Sequence, residues 1–267
     1  MALRARPVSP RSRPALSDRD ARVAHVPSDD TLERMMDKQT DRVADLQKVF
    51  YADGRYALLV ILQGRDASGK DGVIKKVFRD VNPQGVDVTG FKAPSEDERM
   101  HDYLWRVHAR VPPRGMFGVF NRSHYEEVLV PRVHGLIDRA ECTRRFRQIN
   151  DFERMLAENR VVILKFFLHM SKKEQKKQLR ERLEDPTKNW KFREGDLDDR
   201  KLWDEFTAAY RDLLTRCSTS WAPWYIIPAD DKRARNLLVA RTIADRLATL
   251  NLRYPRAPKG ILKLKIT

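Results

Sequence analysis

Residues 59–78, LVILQGRDASGKDGVIKKVF, restrict this chain more than any other stretch. The apolar run 58–62 and Gln63 lead into Gly64; four residues separate Gly64 from Gly69, and Lys70 follows at once. Val73, Ile74, Val77 and Phe78 then recur at helical spacing. A strand, a glycine loop and a helix start, in that order, wrap backbone N–H groups around a phosphate, and the helix dipole adds to the pull. An ordinary tight strand–helix turn is the competing reading, and the flanking patterns favour the phosphate cradle. Gly64, Ala67, Ser68, Gly69, Lys70, Asp71 and Gly72 are therefore the expected phosphate-binding residues, with Lys70 supplying a point charge to a transferring phosphoryl group. Loops of this kind usually continue with Ser or Thr, whose hydroxyl binds magnesium. Here Asp71 stands in that position. Asp66, inside the loop, is the candidate metal ligand, because a hard cation prefers carboxylate oxygen; a turn-capping role is its alternative.

Around the loop, short apolar runs alternate with longer helical patterns. Strands are expected at 57–63, 86–90, 116–121, 161–169 and 224–227. Helices are expected from about Thr31 to Gly54 and near 70–80, 95–108, 124–133, 140–158, 171–184, 201–216 and 233–250. Ser95-x-x-Glu98 and Ser171-x-x-Glu174 carry capping-box spacing. The alternation implies βαβ units and a mostly parallel sheet covered on both faces. One domain is expected over residues 28–253. Residues 1–27, with six arginines and four prolines, read as a flexible basic arm, and 254–267 as a tail.

The apolar run 116–120 ends in Asn121-Arg122-Ser123-His124-Tyr125-Glu126. Arg122, at the end of a strand beside a phosphate loop, is placed to clamp phosphate oxygens bidentately, although a surface ion pair is its ordinary use. Asn121 stands where a metal-binding carboxylate is common, so its expected contact is nucleotide or a metal-bound water. His124 is structural or substrate-contacting, since an anionic phosphate acceptor needs little proton removal. Beyond the fourth strand, Lys173, Lys176, Lys177 and Arg180 make a basic helix that Asp185-Pro186 stops. Lys188, Lys191 and Arg193, mixed with Trp190, Phe192 and Gly195, mark about 185–200 as a mobile lid rather than a plain surface loop.

The formal charge is +15, from 53 Lys and Arg against 38 Asp and Glu. Such a balance favours polyanionic partners without choosing among them. Nothing approaches the length of a membrane span, an apolar leader is not seen near Met1, and two cysteines do not make a disulfide framework. A cytoplasmic protein without a membrane role is the expectation.

In GRDASGKDG, VNPQGV, DYLWRVH, FNRSHYEEVLVPRVH, KFFLHMSKKEQKKQLRERLEDPTKNWKF and APWYIIPADDK, the chain resembles the polyphosphate kinase 2 family over roughly residues 50–250. The resemblance implies a three-layer α/β/α P-loop kinase fold with a parallel sheet and a helical lid. It also implies magnesium-dependent transfer (manganese being a substitute) between inorganic polyphosphate and AMP or ADP, forming ADP or ATP. Asp66, Lys70, Arg122 and Arg182 match the family's catalytic positions. Asn121 with Glu126 looks like the subgroup that accepts both AMP and ADP. Polyphosphate would lie along Lys75, Lys76 and the basic helix, under a lid bearing Lys188, Lys191 and Arg193. A dimer or tetramer of identical chains is what the family suggests. An ATP-dependent nucleotide or small-molecule kinase, and a nucleic-acid-binding P-loop module, are the alternatives.

Overall fold

A computed structural model describes residues 3–261 and 264. Expectations for Met1, Ala2, Leu262, Lys263, Lys265, Ile266 and Thr267 lie outside the described residues. After helix α1 (Asp29–Asp53), strands β1 (Ala57–Gln63), β2 (Val86–Gly90), β3 (Phe117–Asn121), β4 (Val161–His169) and β5 (Trp224–Pro228) form one sheet. Its order is β2-β3-β1-β4-β5, and every pairing is parallel. β1 and β4 are buried along their whole length, as continuous apolar runs in the middle of a covered sheet should be.

Alternation along β1 builds the three layers. Leu59 and Ile61 face a core shared with α6 (Arg139–Glu158) and α9 (Trp203–Cys217). Leu58, Val60 and Leu62 face the opposite core with α1, α2 (Lys70–Val77) and α10 (Lys232–Ala248). Chain order reverses on either side of β1, so the crevice at the C-terminal ends of β1 and β3 is the natural ligand site of such a sheet. Among the described residues, no helix is long and apolar enough to cross a membrane.

Two expected helices change form. The 95–108 helix is two pieces, α3 (Glu96–Met100) and α4 (Trp105–His108), because the Asp102 carboxylate accepts from Leu104 N at 3.0 Å and sets a turn between them. The 124–133 helix is a 3₁₀ turn, His124–Val128, followed by α5 (Val130–Val133); Pro131 lacks the donor an unbroken helix would need there. Residues 185–200, which follow α7 (Lys172–Glu184), are largely helical, with a 3₁₀ turn at Asn189–Lys191 and α8 (Gly195–Lys201).

The arm expected to be flexible is instead fastened to the open edge of β5. Pro7 bridges Tyr225, Val8 N donates to Trp224 O at 2.7 Å, and Ser218 Oγ donates to Val8 O at 2.6 Å. Arg211 donates to Pro14 O and Ala15 O, while Val8, Leu16 and Ala21 are buried. Basic, proline-rich composition hid these few apolar anchors and an unpaired sheet edge able to receive them.

Candidate active site

The loop after β1 closes tightly because two of its positions have no room for a side chain. A Cβ at Gly64 would lie 2.8 Å from Leu168 O. Gly69 has φ 92°, and a Cβ there would overlap the guanidinium of Arg235. Ala67 holds φ 65°, a strained value for a residue with a side chain. The loop ends at the N-terminus of α2, where Gly69 has no side chain to cap the first N–H groups.

Lys70 is buried and lies back over its own loop, donating to Gly64 O at 2.7 Å and Arg65 O at 3.1 Å. Burial, with Arg122 nearby, lowers its pKa to about 8, against the pull of Asp66, Glu126 and Asp71. Arg122 follows β3 with φ 63°, another strained position, and donates to both Asp66 and Glu126, the latter at 3.0 Å. Gln63 donates to the other oxygen of Glu126 at 3.0 Å, so Glu126 ties the ends of β1 and β3 together. Burial alone would raise the Asp66 carboxyl; Lys70, Arg122 and Arg182 outweigh it and hold the pKa below the usual carboxylate value.

Gly64, Asp66, Arg122 and Glu126 line one small cavity with Gln175, Asp196 and Asp199, and Lys70 acts on it from the loop floor. Arg182, in the last turn of α7, donates to Asp196 of α8 at 3.3 Å. Burial first, then the charge of Asp66, raises the Asp196 carboxyl above its ordinary value. The free space is about 30 Å³, with Asp196 and Asp199 of α8 forming one wall. Asn121 Nδ2 donates to Asp71 at 2.8 Å, and Lys191 reaches the other oxygen of Asp71 at 3.3 Å, joining lid to loop.

Not every expected residue converges. Lys75 and Lys76 are exposed in the last turn of α2 and, among the described residues, make no hydrogen bond or ion pair with the site. Lys188 pairs with Asp185 at 2.7 Å within its own loop. Arg193 is exposed and unpaired among the described residues. His124 cannot touch substrate as folded, because its buried ring sits against Glu153 at 3.3 Å.

Two cations escaped sequence reasoning. Arg235 of α10 lies buried beneath the loop, donating to Ser68 O at 3.1 Å and to the Asn236 side chain; burial lowers its pKa to about 10. Arg65 stacks 3.7 Å from the centre of the Trp203 ring and donates to Trp203 O and Thr207, fastening the loop to α9. Arg65 could have been flagged by its place inside the glycine loop. Arg235 carries no such signal, since an arginine in an amphipathic helix reads as surface.

Of the four carboxylates lining the cavity, Asp66, Glu126, Asp196 and Asp199, Asp66 suits a divalent cation best, since its pKa is held low while those of Asp196 and Asp199 are raised and Glu126 has both oxygens engaged. Among the described residues no group of three or more His, Cys, Asp or Glu could cage a metal. That donor set suits magnesium, which keeps its waters and takes one or two carboxylates plus substrate phosphates.

Residues 26–255 match the family model described as polyphosphate kinase 2. The chain is 49% identical over 225 residues to the AMP/ADP-polyphosphate phosphotransferase of Meiothermus ruber, covering 84% of each. It is 45% identical over 229 residues to the ADP-polyphosphate phosphotransferase of Rhodopseudomonas palustris, covering 81% of this chain and 79% of that one. The crystal structure of polyphosphate kinase 2 from Arthrobacter aurescens superposes with a TM-score of 0.91 at 38% identity, over 98% of this chain and 97% of that one.

Proposed function

This chain belongs to the polyphosphate kinase 2 family, and on that premise we propose that it transfers phosphoryl groups between inorganic polyphosphate and AMP or ADP. The observation that carries the reading is the convergence of Asp66, Lys70 and Arg122 at the ends of β1 and β3, with Arg182 adjoining them. Two polyanions repel one another, and a site that joins them must supply positive charge where that repulsion peaks.

The bond between the terminal phosphorus of the donor and its bridging oxygen breaks, and a bond forms from that phosphorus to a terminal phosphate oxygen of the nucleotide. The shortened polyphosphate leaves with the bridging oxygen and its electron pair. An anionic acceptor oxygen needs no general base, and His124, close to Arg122 in the chain, is buried against Glu153 and does not line the cavity. Lys70 exchanges two loop carbonyls for oxygens of the transferring group. Arg122 and Arg182 flank that group and offset charge as it redistributes. Asp66 is the residue that would hold magnesium, or manganese in its place, which when bound neutralises phosphate oxygens. Asn121 and Glu126 face the nucleotide side.

Residues 185–200 act as the lid, opening to admit the chain and closing to exclude water, with Lys191, Lys188 and Arg193 supplying its cations. Lys75, Lys76 and the basic face of α7 guide the polymer towards the loop. Two free, buried cysteines fit a reducing cytoplasmic setting. Self-association as a dimer or tetramer belongs to the same reading and is checked by sedimentation. The deciding experiment supplies AMP or ADP with polyphosphate, magnesium and no ATP. Appearance of ADP or ATP is the expected result; no product in either case refutes the assignment.

A further inference from the structure

A second basic concavity lies between α6 and the C-terminal half of α9, bordered by the fastened N-terminal arm, with a volume of about 890 Å³. It shares no lining residue with the active-site cavity. Arg11, Arg13, Arg139, Arg147 and Arg216 line it, all exposed and, among the described residues, without an acidic partner within ion-pair distance. Its two acids are already engaged. Asp151 pairs with Arg154 at 3.0 Å, and Asp212 pairs with Arg132 at 2.7 Å. Five uncompensated guanidinium groups around one concave surface concentrate positive potential. Each is also a planar fork suited to phosphate oxygens.

We propose that this groove is a second binding site for linear inorganic polyphosphate, retaining long chains on the protein apart from the phosphates engaged at Lys70. The proposal rests on the phosphoryl-transfer reading for its choice of ligand. Shape and lining favour this polyanion over a polynucleotide. Single-stranded nucleic acid calls for aromatic platforms, whereas Trp221 is the one exposed aromatic lining the groove among the described residues. At this face a second copy of the chain, itself of charge +15, is disfavoured by net charge, whatever other surfaces join copies.

Arg139→Ala/Arg147→Ala tests the proposal on the full chain. Both side chains are exposed and, among the described residues, make no hydrogen bond, so the unfolding midpoint should not move. Expected are a rise of about five-fold or more in the KM and equilibrium Kd for long-chain polyphosphate, with kcat and the KM for tripolyphosphate unchanged. An unchanged Kd for long chains overturns the proposal, as does equal weakening of long chains and tripolyphosphate, which would make the groove part of the main site. Altered sedimentation mass without altered affinity would reassign it to contacts between copies. Loss of single-stranded oligonucleotide binding with polyphosphate binding intact would reassign it to nucleic acid. A wild-type chain that binds long polyphosphate through the groove yet transfers nothing to AMP or ADP would uphold this site and refute the proposed reaction.

Discussion

Lys165→Met should destabilise the fold by about 3–5 kcal/mol, the range for breaking one side of a buried ion pair. Lys165 is fully buried in the middle of β4, and Nζ donates to Glu153 Oε2 at 2.5 Å, Cys217 O at 2.7 Å and Tyr125 Oη at 2.8 Å. One charge-assisted bond is worth roughly 1.5–3 kcal/mol net and each neutral bond about 1 kcal/mol, which leads to the same range. Methionine fills the volume, so the loss is electrostatic rather than a cavity. In a chain of this size, about 2–4 °C per kcal/mol converts the loss to a drop of roughly 6–20 °C in the unfolding midpoint. Glu153 gives the pH signature. Burial would raise its carboxyl, and Lys165 with His124 overrides that and holds it low in the wild type. Without Lys165 the burial effect prevails, and the folded-state pKa rises above the unfolded value. The native state then binds the extra proton, so the variant loses stability as pH rises; its deficit is smallest near pH 5 and greater at pH 8. Lys165→Met/Glu153→Gln orphans no charge and should recover part of the loss. Calorimetry or urea unfolding at the two pH values decides the matter. A single-mutant cost below about 1 kcal/mol, or a double mutant as weak as the two singles added, would refute the reasoning.

Lys70→Ala and Asp66→Ala should each lower turnover by about two to three orders of magnitude with the unfolding midpoint little changed; near-normal kcat removes that residue from the mechanism. Because the Lys70 pKa is lowered to about 8, the free enzyme loses this ammonium as pH rises through 8. Polyphosphate affinity should then fall by up to about tenfold per pH unit, with proton uptake on binding measurable by calorimetry in buffers of different ionisation heat. A flat affinity from pH 7 to 10 contradicts the assignment of Lys70 to phosphate. Gly69→Ala should cost about 1–3 kcal/mol and weaken phosphate binding, because its Cβ meets Arg235. Gly54→Ala, with φ 63° and nothing within 4 Å, should cost about 1–2 kcal/mol and leave binding intact. Equal effects on binding would show that the Arg235 contact does not shape the loop.

Local order explains what was readable beforehand. Strand, loop and helix between residues 57 and 77 are neighbours along the chain, so periodicity and two glycines sufficed to locate them. β1 and β4 begin and end where the apolar runs do, because fully covered strands leave uninterrupted hydrophobic stretches. Boundaries slipped where a side chain intervened, as Asp102 does between α3 and α4. The basic helix and lid could be recognised as cationic, but composition treats every lysine alike. It did not separate Lys191, which reaches Asp71, from Lys188, which pairs within its own loop.

From the sequence alone came the strand–glycine loop–helix segment, the parallel α/β plan, the excess of positive charge and the family resemblance, all properties of residues close together in the chain or summed over it. The fold decided which charges meet. Arg235 lies beneath Ser68, 167 positions away, Lys165 finds Glu153 across a buried layer, and five arginines from the arm, α6 and α9 gather around one groove. Charge energies depend on distance and on exclusion of water, and both are set when remote segments pack against the two faces of the sheet.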